Sequence, residues 1–168
     1  MIRTYTQKGW SLDALYPSHD GPEIQAAFKE LEAQTAEFEK KRSQLSAKTS
    51  QSELRSIIQA LESIYRIGYR VASYAELWFS ADTQNQSALG MVMRTEQLIS
   101  EINNRTLFFS LWWKDLPDET AKPLMEGIGD YRYWLEEMRH FKPHTLSEPD
   151  EKFINTKNVT GVSALNTL

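Results

Sequence analysis

The chain contains no cysteine, which excludes disulfides and every thiolate-held zinc or iron–sulfur centre. Histidine is scarce as well, with three residues, His19, His140 and His144. The last two are four apart, a spacing that can put two imidazoles on one helical face for zinc. However, Phe141 follows the first where a zinc-protease helix carries glutamate, and Pro143 disfavours a continuous helix between them. They read as loop and capping residues. Glycine is limited to seven residues, and no Gly-rich phosphate loop is present. Nor is there an excess of positive charge: the net charge is −4, with bases interleaved among acids, which removes the electrostatic footprint of a nucleic-acid or anionic-membrane binder. No apolar run approaches the roughly 20 residues that span a bilayer, and Met1 to Trp10 lacks the apolar centre of an export signal. The expectation is a cytoplasmic protein with neither nucleic acid nor membrane as partner.

What is present is apolar periodicity. Strand-like alternation never lasts long enough to build a sheet, so the fold class expected is all-α, an elongated antiparallel helical bundle. The chain is organised around Leu54 to Trp113, which reads as two long helices folded back on each other. Ser50 and Glu53 fit a capping box that starts the first. Arg55, Gln59, Glu62, Arg66, Arg70, Ser73 and Glu76 then trace one polar stripe, with Glu62 placed to pair with Arg66. Leu54, Ile57, Ile58, Leu61, Ile64 and Val71 line the buried side, where Gly68 reads as a notch for a neighbouring helix. Ser80 to Asn85 reverses the chain.

The second long helix carries Leu89, Val92, Ile99 and Ile102 on one face. Glu96 falls among the apolar positions, so a partner such as Arg66 or Arg70 is expected. Past Arg105 the pattern becomes apolar on all sides, with Phe108, Phe109, Trp112 and Trp113.

On the flanks, Trp10, Leu12, Leu15 and Tyr16 look like a docking strap. Asp20 is placed to cap a helix from Pro22 to about Leu45 whose seam is Ile24, Phe28, Leu31, Thr35 and Phe38. Beyond Pro117, one short helix opens at Asp118, a second contains Trp134, Leu135 and Met138, and a third starts after Ser147. Val162, Leu165 and Leu168 begin a further periodic segment. No catalytic constellation can be assembled: acid pairs such as Glu136 with Glu137 and Asp150 with Glu151 suit polar faces and helix first turns.

Several stretches, taken in order, resemble one family. They are Trp10-Ser11-Leu12-Asp13-Ala14-Leu15-Tyr16; Tyr74-Ala75-Glu76-Leu77 followed by Ser80 to Asn85; the Phe108-Phe109 and Trp112 region; Tyr133-Trp134-Leu135 with Arg139; and Pro143 to Lys152 with Lys157 to Gly161. Together they are similar to the N-terminal region of oligoendopeptidase F, of the M3 zinc metallopeptidases. The resemblance implies a two-lobed helical enzyme that encloses a channel for short, unstructured peptides. Its zinc is held by a His-Glu-x-x-His helix and a further glutamate, and this chain has no such motif.

No catalytic, cofactor-binding or metal residue is therefore carried over. The expectation is a non-catalytic N-terminal lobe over residues 1–161, with 162–168 starting a truncated helix toward an absent catalytic domain, and no activity in this chain alone. Phe108, Phe109, Trp112 and Trp113 are expected to face that catalytic lobe, the chain's own partner. With it absent, the exposed surface would favour self-association. The alternative is a free-standing helical interaction or scaffold protein without enzymatic activity.

Overall fold

A computed structural model describes residues 10–159 and 161. Six α-helices follow one another: α1 (Pro22–Lys40), α2 (Gln51–Ala81), α3 (Gln86–Asp115), α4 (Asp118–Glu126), α5 (Arg132–His140) and α6 (Glu148–Asn158). Among the described residues there is no strand, and the fold is the all-α bundle expected. The expected segment at 162–168 lies outside the described residues.

The capping box forms as its sequence dictates: Glu53 N–H donates to Ser50 Oγ at 3.3 Å, and Ser50 N–H donates to the Glu53 carboxylate at 2.7 Å. The periodic face of α2 then buries Leu54, Ile57, Ile58, Leu61, Ile64 and Val71. At 31 and 30 residues, α2 and α3 are nearly equal in length. They form an antiparallel pair that places Trp78 near the shared turn and Trp112 and Trp113 at the far end. The turn closes on Asn85, whose side chain accepts from Ser87 N–H and Ala88 N–H at 3.0 and 3.1 Å.

Gly68 is the predicted notch. A Cβ there would stand 2.9 Å from Ile99 Cδ1 of α3, so the missing side chain leaves room for the tip of Ile99 between the two long helices. Helix α1 covers the pair along its seam, burying Ile24, Ala27, Leu31, Thr35 and Phe38.

Three local expectations are corrected. Helix α1 stops at Lys40 and passes through a 3₁₀ turn at Lys41–Gln44, short of Leu45. Asp20 does not cap it: Gly21 holds the N-cap without a side-chain bond, because the Asp20 carboxylate is taken by Ser18 Oγ. Glu62 accepts from Tyr131 Oη at 2.7 Å and makes no ion pair with Arg66 among the described residues.

The strap is held as its apolar pattern suggested. Tyr16 is buried edge-on against Tyr74, and Arg70 lies over its ring while donating to Ala14 O at 3.2 Å and Leu15 O at 2.6 Å. Trp10 stays outside, 94% exposed.

Candidate functional site

The stretch Leu107–Trp113 near the end of α3 is apolar but for Ser110, and the structure covers most of that surface from within the chain. Trp113 is fully buried and donates its indole N–H to Leu135 O of α5 at 2.9 Å. Phe109 is 1% exposed and stacks against Trp134, with ring centroids 6.0 Å apart. Phe108 is 5% exposed and packs on Phe38 of α1 at 5.3 Å. Phe108, Phe109 and Trp113, expected to face another lobe, are covered here within the chain by α1 and α5. Trp112 alone of the four is half-buried.

Arg139 ties this end together. Its guanidinium donates to Trp113 O and Leu116 O, both at 2.7 Å, and to Asp118, so one cation satisfies free carbonyls at the C-terminus of α3. The same contact holds the Asp118 carboxyl below the usual carboxylate range.

Beside this packed end lies a cleft of about 570 Å³ between the end of α1, the final turns of α3 and the connection from α5 to α6. Its apolar wall is formed by Leu45, Phe108, Leu111, Trp112 and Leu146, and its polar wall by Arg42, Lys114, Asp115, Lys142, Thr145 and Glu148. Of the four expected interface residues, the cleft brings together Phe108 and Trp112 only.

Arg42 forks onto Glu148 at 2.9 and 2.6 Å, and Lys152 reaches the same carboxylate at 2.7 Å. These two cations pull the Glu148 carboxyl down to about 2. Lys142 Nζ sits over the carbonyls of Leu116 and Asp115, at 3.1 and 3.5 Å. Among the described residues Lys114 has no hydrogen-bond or ion-pair partner, and the buried Trp112 Nε1–H has no acceptor. Sequence reading missed Arg42, Lys114 and Lys142 as a group. Each looks like an ordinary surface base, and only the packing of α1, α3 and the α5–α6 connection gathers them.

Among the described residues Glu96 does not meet an arginine. It is half-buried near Glu76, and burial followed by that carboxylate raises its pKa, while Arg70 is committed to the strap. His140 and His144 are split as the proline required: His140 ends α5 beside Glu137 at 3.4 Å, and His144 lies in the next 3₁₀ turn. Among the described residues no group of three or more His, Asp or Glu side chains could hold a metal ion, and none of their helices is long and apolar enough to cross a membrane.

Comparison with known proteins places the end of the chain. Residues 112–168, which include Trp112, Arg139, the α5–α6 connection and α6, match the N-terminal model of the peptidase M3 family, described as Oligopeptidase F. That segment is similar to the N-terminal region of M3-family peptidases. The match agrees with the resemblance read from the motifs. No curated protein matches the chain, and no solved structure does. M3-family peptidases are generally metalloproteases, and the described residues of this chain do not offer the donor set such a centre needs.

Proposed function

We propose that the chain is the non-catalytic N-terminal lobe of a cytoplasmic, zinc-dependent oligoendopeptidase, one wall of a channel that admits short peptides and excludes folded proteins. The match of residues 112–168 to the oligopeptidase F model is the observation that carries this reading. A scaffold of α2 and α3, each about 45 Å long at 1.5 Å per residue, suits a wall, since long packed helices give a rigid surface. In the complete enzyme the zinc ligands and the water-activating glutamate belong to a second lobe, and residues 1–161 act as the supporting domain.

The test is a fluorogenic-peptide assay on this chain and on the product of the complete gene. The complete protein is expected to hydrolyse short peptides and to lose that activity with a chelator, while the 168-residue chain with added zinc shows none. Chelator-sensitive turnover by this chain alone would sink the assignment. A gene product that ends at Leu168 would favour the scaffold reading, which is supported by the exposed Phe153 and Ile154 of α6, 63% and 41% accessible.

A further inference from the structure

Helix α6 is built inside out. Its half-buried stripe, Glu148, Lys152 and Asn155, is polar and docks through polar contacts: Ser100 Oγ donates to Asn155 O, Asn155 Nδ2 to Asn104 Oδ1, and Arg42 and Lys152 meet Glu148. The apolar residues are on the other side. Asp150, Phe153, Ile154 and Lys157 stand at i, i+3, i+4 and i+7, so they share one face of the helix, and all four are exposed. A helix that turns its polar stripe to its own chain and its apolar residues outward presents a surface for something else to cover.

The order of charges along that outward stripe selects the occupant. From its N-terminal to its C-terminal end it reads acid, apolar, apolar, base, an order that is complementary to itself when reversed. We propose that the stripe pairs two copies of the chain, α6 lying antiparallel on α6 about a two-fold axis between Phe153 and Ile154. Phe153 of each copy then packs on Ile154 of the other, and each Asp150 carboxylate faces the other copy's Lys157 ammonium, twice by symmetry. A parallel pairing would set like charges against each other, which leaves the antiparallel one. Among the described residues neither Asp150 nor Lys157 has an ion pair within its own chain; Lys157 leans over Phe153, its Nζ 5.7 Å from the ring centroid. With 11 residues, α6 offers about 16 Å of axis. That is a small contact for a protein pair, so the association is reversible and depends on concentration. The pairing rests on α6 and is independent of the peptidase reading.

Sedimentation velocity of the 168-residue chain over a concentration series tests the proposal, with the mass expected to rise from the 19.5 kDa of one chain toward twice that value. Asp150→Lys and Lys157→Asp each turn both symmetry-related pairs from attraction to repulsion, and each alone is expected to raise the dissociation constant about tenfold. Mixing the two variants in equal amounts pairs opposite charges again and is expected to restore association. Asp150 also accepts from Ser147 Oγ at 2.5 Å at the start of α6, so its replacement frays the helix, and cross-linking gives a readout free of that effect. The chain has no cysteine of its own. Ile154→Cys is therefore expected to be joined to its own copy by a short bis-maleimide well ahead of Ala33→Cys, at an exposed position on α1. The mass of one chain at every concentration, cross-linking no faster for Ile154→Cys than for Ala33→Cys, or association indifferent to both charge reversals would each overturn the pairing. A longer gene product that stays monomeric with α6 protected from hydrogen exchange would overturn it as well, and would give the stripe to a segment beyond residue 168.

Discussion

Trp113 is the residue on which the end of the bundle closes. It is fully buried, its indole N–H is bonded to α5, and Arg139 lies over its ring at 5.6 Å. Trp113→Ala removes a large buried side chain and leaves Leu135 O without its donor, so a loss of about 3–5 kcal/mol in a urea melt is expected. Gly68 works in the opposite sense, since its site has room for little more than one added atom. A single Cβ meets only Ile99 Cδ1, the end of a side chain that can turn, and the gain in helix propensity offsets that contact. Gly68→Ala is thus expected to change stability by less than about 1 kcal/mol, while Gly68→Val, with two further methyl groups between α2 and α3, is expected to cost about 2 kcal/mol. Denaturant midpoints for the two variants check the pair. Residue patterns foretold the apolar character of both sites; which partners they meet depends on how the helices cross.

Among the elements, α2 is held locally and α6 is not. Ser50→Ala removes one half of a formed capping box and is expected to cost about 1 kcal/mol, read in the same melts. Helix α6 buries none of its described side chains. Polar contacts hold it on α3, where Ser100 Oγ donates to Asn155 O at 3.2 Å and Asn155 Nδ2 to Asn104 Oδ1 at 3.0 Å, and on the turn after α1, from which Arg42 reaches over to Glu148. The folded Glu148 carboxyl titrates at about 2 against an ordinary 4.5. A depressed acid stabilises the fold above its unfolded value and stops doing so as pH falls toward the folded one. Docking of α6 should accordingly be intact at neutral pH and weaken between about pH 4.5 and 2, by about 1 kcal/mol after allowance for the exposure of Arg42. Hydrogen exchange along α6 measures this, and Glu148→Gln should show faster exchange there at neutral pH.

At the scale of the whole molecule, the inward turn of Phe108, Phe109 and Trp113 leaves less apolar surface at that end than the sequence implied. Most of the large exposed apolar side chains toward the C-terminal end are on α5, α6 and their connection: Tyr133, Trp134, Phe141, Leu146, Phe153 and Ile154. If the chain self-associates, that surface is where it should happen, and Phe153→Glu is expected to lower the apparent mass in light scattering across a concentration series. An unchanged mass would move the contact elsewhere.

The sequence alone determined the helices and their order, because caps such as Ser50, Asn85 and Ser147 and a period near 3.6 are local properties of the chain. It also carried the stretches from Tyr133 to Gly161 that resemble oligoendopeptidase F. It could not decide where the surplus apolar residues of α3 go, since a helix apolar on every side states only that it will be covered. The crossing of α5 over α3 and the position of Phe38 in α1 decided that, by satisfying Trp113 and Phe108 within the chain. The cleft is likewise a tertiary product: Arg42, Lys114 and Lys142 are far apart in sequence and become neighbours only when three elements pack, so that no local pattern marks them.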